Sequence, residues 1–209
     1  MKRIFTILDK PKHPQSALEL SLRLAAAEDR ALTLASFCWD PIADHRDVDK
    51  QTRAMLKKAM LDDRKIWLRA LLQDDDRLND RVFNHPVRQR VVWTNAIDDW
   101  VAKHVTRDSA DLIVKTSHPA NGRFLHTPLD WGLLEQAQVP IWFAQSKPPR
   151  KRRGKIGPVL ATIDLRKDDA QHERLNRAVL TAAASAAATL DTKVHAVCVV
   201  ESSKVLRDL

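Results

Sequence analysis

Asp9 closes an apolar run, Arg3–Asp9, and Lys115, Thr116 and Ser117 stand at the end of another that begins at Ala110. A carboxylate, an ammonium and two hydroxyls at the ends of buried strands suit a ligand crevice, because open parallel sheets bind outside the carboxyl ends of their strands. Arg123 adds a further cation. Thr127 stands before Pro128 as an N-cap and first-turn pair, where a helix N-terminus meets a phosphate or carboxylate. The competing reading makes Asp9 and Thr127 capping groups and the rest loop polarity. Binding is expected in preference to reaction. His13, His118 and His126 fall near Asp9 but at spacings of no compact metal motif. Ser16 and Ser117 lack the glycines of a nucleophile elbow. No catalytic residue and no metal ligand is expected.

The elements that position these groups alternate. Residues 3–9 read as a buried strand, 15–28 as a helix with a broad leucine and alanine face, and 31–39 as a second strand. A long charged helix is expected over 46–73, a strand over 87–93, a helix over 96–105 and a short strand over 110–115. A helix over 127–137 and a strand over 139–144 complete the set. Alternation of this kind implies a parallel sheet with helices on both faces. The pattern then restarts. Pro158–Asp164 repeats the shape of Arg3–Asp9 down to the terminal acid, followed by a helix over 169–189 and a strand over 193–200. The expected division is a complete domain over 1–145, a basic linker over 146–157 and the opening of a second copy over 158–209. Asp164 matches Asp9 but has less of a crevice around it.

Composition narrows the function classes. The net charge of +8 includes Lys147, Arg150, Lys151, Arg152, Arg153 and Lys155; without these six the rest carries +2. The basicity belongs to the linker, which is expected to be solvated, with nucleic acid or an acidic partner as the alternative at 147–155. Glycine contributes four of 209 residues, far below the usual ~7%, so phosphate-cradling loops are scarce. The six tryptophans sit mostly on apolar stripes and read as core. Cys38 and Cys198 lie in matching strands of the two copies and read as structural thiols. With no apolar run of membrane length and no leader pattern, a cytoplasmic protein without a membrane association is expected.

Four stretches carry a family resemblance: Ile7-Leu8-Asp9, Val91-Val92-Trp93-Thr94-Asn95, Ala110–Lys115, and Phe124–Trp131 with Val139-Pro140-Ile141-Trp142. Together they resemble the universal stress protein family, in particular its tandem E-type members, with the second domain truncated. The most specific of them is Thr127-Pro128-Leu129-Asp130-Trp131 ahead of the closing strand. The resemblance implies a flavodoxin-like α/β fold, of the adenine nucleotide alpha hydrolase-like type, with an open parallel five-stranded sheet. It also implies a role in stress tolerance. Some members bind ATP through paired glycines after the penultimate strand. Here that segment, Lys115–Pro128, sets Lys115 or Thr116 at the first glycine and His126-Thr127 or Thr127-Pro128 at the final pair. Side chains there fill phosphate space, and Pro128 removes an N–H donor. The expected reading is therefore a non-enzymatic stress-response protein with a degenerate nucleotide crevice and no cofactor. It would act by association with itself or other stress proteins, with the closing strand as docking edge. The alternatives are an ATP-binding switch, with Asp9, Lys115, Thr116, Ser117, Arg123 and Thr127 around the ligand, and a nucleic-acid contact through the linker.

Overall fold

The computed structural model describes residues 2–73, 85–117, 129–145, 158–165 and 169–198. Two compact units divide at Arg150 and Lys151. In the first unit the elements are β1 (Arg3–Ile7), α1 (Ser16–Glu28), β2 (Ala31–Cys38), a 3-10 turn (Pro41–Asp44) and α2 (Lys50–Gln73). They continue as β3 (Arg88–Trp93), α3 (Ile97–His104), β4 (Leu112–Ser117), α4 (Leu129–Gln136) and β5 (Ile141–Gln145). The strands form one parallel sheet in the order β3-β2-β1-β4-β5.

Period-two alternation sorts the core into two layers. Ile4 of β1, Leu32 and Leu34 of β2 and Val114 of β4 meet Leu18, Leu22 and Ala25 of α1 and Leu68 of α2. Their sequence neighbours Phe5, Ile7, Ala35, Phe37 and Ile113 meet Val101 of α3 and Leu133 of α4 on the other face. The inner strand β2 is buried along its whole length, whereas β3 at the sheet margin exposes Arg88, Gln89 and Arg90. The parallel α/β sheet expected from the alternation is present, with the five strands that the resemblance implies.

Some boundaries move. The long helix begins at Lys50 rather than 46, because the Asp49 carboxylate accepts the Gln51 and Thr52 N–H groups at 2.8 and 2.9 Å and starts it there. β4 runs over 112–117 rather than 110–115. Asp111 is held outside the strand: it accepts the Arg3 N–H at 3.1 Å and the Arg30 guanidinium at 2.8 Å, tying together the amino ends of β1, β2 and β4. The shift carries Thr116 and Ser117 into the sheet, paired to Ala144 and Gln145.

In the second unit, β6 (Val159–Ile163) and β7 (Val194–Cys198) form a two-stranded parallel sheet, with α5 (Ala170–Thr189) between them in sequence. Asp169 caps α5, accepting the Gln171 and His172 N–H groups at 2.9 Å each. The linker expected over 146–157 lies outside the described residues. Both cysteines are free thiols, Cys38 buried and Cys198 half-buried.

Candidate functional site

The sheet reverses its winding between β1 and β4: from β1 the chain steps outward to β2 and β3, then crosses to β4 and β5 on the far side. Where two such crossovers part, the strand ends leave a gap. Here that gap is a cavity of ≈ 340 Å³, near the lower end of the ~300–1,000 Å³ range of ligand pockets.

Its walls are apolar. Ile7 and Phe37 come from the ends of β1 and β2, Ile97 from the first turn of α3 and Leu129 from the start of α4. Phe37 is held edge-on to Trp100 with ring centroids 5.4 Å apart, and Trp100 also stacks on Phe5 at 6.3 Å. Aromatic packing at these separations fixes the orientation of the wall. Among the described residues the polar lining is Asp9, Lys10, His13 and Lys115.

Lys115 is 6% exposed, and its ammonium reaches two acceptors. One is Asp130 Oδ1 at 2.6 Å and the other the Thr116 carbonyl at 2.8 Å. An ammonium carries three N–H donors, so two are committed within the protein. Asp130 lies in the first turn of α4, where a carboxylate is favoured by the helix dipole, and its other oxygen accepts the Ser117 hydroxyl at 3.4 Å. Taking both ions out of water carries a desolvation cost, and a short contact with additional hydrogen bonds is the geometry that offsets it.

The loop after β1 is shaped by one side chain. Gln15 accepts the Asp9 N–H at 3.1 Å and donates to the carbonyls of Asp9, Lys10 and His13 at 3.4, 3.3 and 3.1 Å. That clamp holds Asp9 and His13 at the cavity. Gly132 lets α3 and α4 close over its side of the sheet, since a Cβ there would run into the Asp98 side chain.

Of the six residues singled out from sequence, Asp9 and Lys115 line the cavity, and Ser117 joins it through Asp130. Thr116 faces the other way. Its hydroxyl, 1% exposed, accepts the Ala17 N–H at 3.1 Å and caps α1 from the neighbouring strand. Arg123 and Thr127, with His118 and His126, lie outside the described residues. Asp164 belongs to the second unit. Sequence reading missed Asp130 as a site residue, although an acid in the first turn of the helix after a strand-borne lysine was the available signal. Phe37 and Ile97 gave none beyond their apolarity.

Cys38 lies on the α2 face of β2, away from the cavity. Burial pushes its thiol up, against a smaller pull from the Arg64 guanidinium, a shift that disfavours the thiolate. Among the described residues no cluster of metal-ligating side chains occurs, and no helix is long and apolar enough to cross a membrane.

No family model matches the chain. It is 29% identical over 91 residues to Universal stress protein E of Photorhabdus laumondii subsp. laumondii, a match covering 42% of this chain and 27% of that protein. Among solved structures, one from Pseudomonas aeruginosa UCBPP-PA14 assigned to the universal stress proteins superposes with a TM-score of 0.66 at 18% identity. That match covers 100% of this chain and 65% of the other. A functionally unknown protein from Pseudomonas aeruginosa PAO1 gives 0.59 at 19% identity, covering 94% and 60%. Universal stress protein UspA from Lactobacillus plantarum gives 0.53 at 16%, covering 68% of this chain and 97% of its own. These structures share the fold. The chain spans about a quarter of the curated relative and less than two thirds of the first two structures.

Proposed function

We propose that this chain, a universal stress protein by its fold and by its similarity to Universal stress protein E, is a cytoplasmic, non-enzymatic stress-response protein that works by binding. Its main activity is association through the open margin of the five-stranded sheet. The observation that carries this reading is β5, which pairs with β4 on one side and, among the described residues, ends the sheet on the other. A margin strand presents alternate N–H and C=O groups to a further strand. α4 adds apolar surface of its own, with Trp131 and Leu134 more than half exposed.

Amide exchange over 141–145, read at low and high protein concentration alongside light scattering, tests the reading. Expected is a concentration-dependent larger species and slowed exchange at alternate β5 amides. A monomer at every concentration, with unchanged β5 exchange, overturns it.

A second reading, a small-ligand crevice, is favoured by the cavity between the ends of β1, β2 and β4. Asp9 and Lys115 would be the contact residues in that case, and an adenine nucleotide is one candidate ligand. The third possibility, nucleic acid on 147–155, rests on composition alone. It predicts an affinity that falls steeply with salt and collapses when Arg150, Lys151, Arg152 and Arg153 are neutralised.

A further inference from the structure

We infer that the free margin of β3 is a docking edge for an extended acidic segment of another protein, read by Arg88 and Arg90. It lies at the opposite end of the sheet from β5 and goes beyond the association proposed there.

The main chain comes first. β3 pairs with β2 on one side and, among the described residues, ends the sheet on the other. The Thr94 N–H donates to the Cys38 carbonyl of β2 at 3.1 Å. Alternate residues of a strand turn their main-chain groups to opposite sides, so Arg90 and Val92 also face β2 while Gln89, Val91 and Trp93 face outward. The strand is anchored from both faces, because Val91 packs on the α1 and α2 layer and Val92 on the α3 and α4 layer. A fixed margin of this kind receives an added strand through its main-chain groups, and the alternate side chains select which strand.

The side chains then set the chemistry. Register with Thr33 and Ala35 puts Arg88 and Arg90 on one face of the sheet, roughly 6.6 Å apart along the strand. Both are exposed, and neither enters an ion pair or a side-chain hydrogen bond among the described residues. Charges on a margin strand discourage pairing with a second copy. The register centred on Gln89 would set Arg88 of one copy directly against Arg90 of the other, which is unfavourable. Acids at alternate positions of an incoming strand turn that repulsion into attraction, since a guanidinium offers paired donors to a carboxylate. β5, by contrast, carries no charged residue over Ile141–Gln145. The two margins therefore suit different partners.

Fluorescence anisotropy with a short labelled peptide alternating glutamate and valine, and with its lysine counterpart, tests this on the full chain. The glutamate peptide should bind at least about tenfold tighter. It should slow amide exchange at Gln89, Val91 and Trp93 and leave 141–145 unchanged. Arg88→Glu combined with Arg90→Glu should reverse the preference, with circular dichroism confirming that the variant is folded. The two peptides and the exchange pattern on the wild type decide the matter even where that variant is unstable. No binding of the glutamate peptide to the wild type overturns the inference. Binding that leaves exchange over 88–93 unaltered overturns it as well, as does a preference that persists in the folded double variant. A single-stranded oligonucleotide that displaces the peptide without slowing those amides makes nucleic acid the occupant and likewise overturns it.

Discussion

The two units open with the same local design and end in different states of burial. Both run strand, loop, helix, strand, and in both a side-chain amide clamps the main chain of the acid that follows the first strand. Gln15 bridges the N–H and C=O of Asp9 at 3.1 and 3.4 Å, and Asn176 does the same for Asp164 at 3.0 and 2.7 Å. Yet β2 is buried at all eight positions, while β7, its counterpart, has none buried and β6 buries only Ala161. Local chemistry is repeated and burial is not. Burial comes from what pairs and packs from far along the chain: β3 beside β2, β4 beside β1, and a second helix layer on the opposite face. A site needs that surrounding, because its polar groups act strongly only where water is kept away.

The largest expected effect tests that contrast directly. Leu34, wholly buried on β2, should cost about 2–5 kcal/mol when cut to Ala, the range for a core leucine. Leu160 on β6 is 64% exposed, and Leu160→Ala should stay within about 0.5 kcal/mol. Denaturant unfolding of the two variants gives both numbers. Equal losses would show that the second unit is as tightly packed as the first, and the comparison would fall.

A smaller effect separates non-local from local helix starts. α1 has no side-chain cap from Gln15; its Ala17 N–H is met by Thr116, 99 positions away on β4. α5 is capped by Asp169, immediately before it. Thr116→Val keeps the shape and leaves a buried N–H unpaired, at a cost of about 1–3 kcal/mol. It should do so without altering ligand affinity, because the hydroxyl points away from the cavity. If Thr116→Val instead weakens a cavity ligand and leaves stability unchanged, the placement of that hydroxyl is wrong.

The clamps offer a finer test. Gln15→Ala and Asn176→Ala each remove hydrogen bonds from half-buried backbone, and about 1 kcal/mol is expected from each. The informative readout is amide exchange at Asp9 and Asp164, which should quicken in the matching variant only. Quickening at one site alone would mean that the resemblance of the two loops is superficial.

Much of this was legible in sequence, and the reasons differ by element. Helix and strand alternation shows in the chain because each element must bury one face, and the strand-terminal acids stand out against apolar runs. Lys115 was visible as a cation at a strand end. Thr116 and Asp130 were not resolved as to role, because a hydroxyl that caps a distant helix and a carboxylate that neutralises a lysine are settled by tertiary approach. The two-residue displacement of β4 has the same origin: Asp111 is apolar-flanked and reads as strand, but Arg30, 81 positions away, holds it at the strand's margin. Long-range ion pairs leave no periodic trace.

The smallest effect is a pH dependence shared by both units. Asp49 and Asp169 each accept two N–H groups at a helix start, and hydrogen bonding holds both carboxyls below the usual carboxylate value. At Asp49 the first cause is the Thr52 hydroxyl; at Asp169 it is the His172 N–H, followed by the His172 side chain. A carboxyl depressed on folding binds its proton more weakly folded than unfolded. Its stabilising contribution is therefore present above the ordinary value of about 3.9 and is lost as pH falls through the lower, folded value. Both groups are solvent-exposed, so the change is small and should appear as fraying of the first turn rather than as unfolding. Asn caps a helix nearly as well as Asp but does not titrate in this range. Asp169→Asn should keep the helicity of α5 at neutral pH and remove that helix's share of the circular dichroism change below about pH 4. Asp49→Asn should do the same for α2. An undiminished acid transition in both variants would mean that the caps carry no linkage. Loss of the transition in one variant alone would assign the acid sensitivity to that unit.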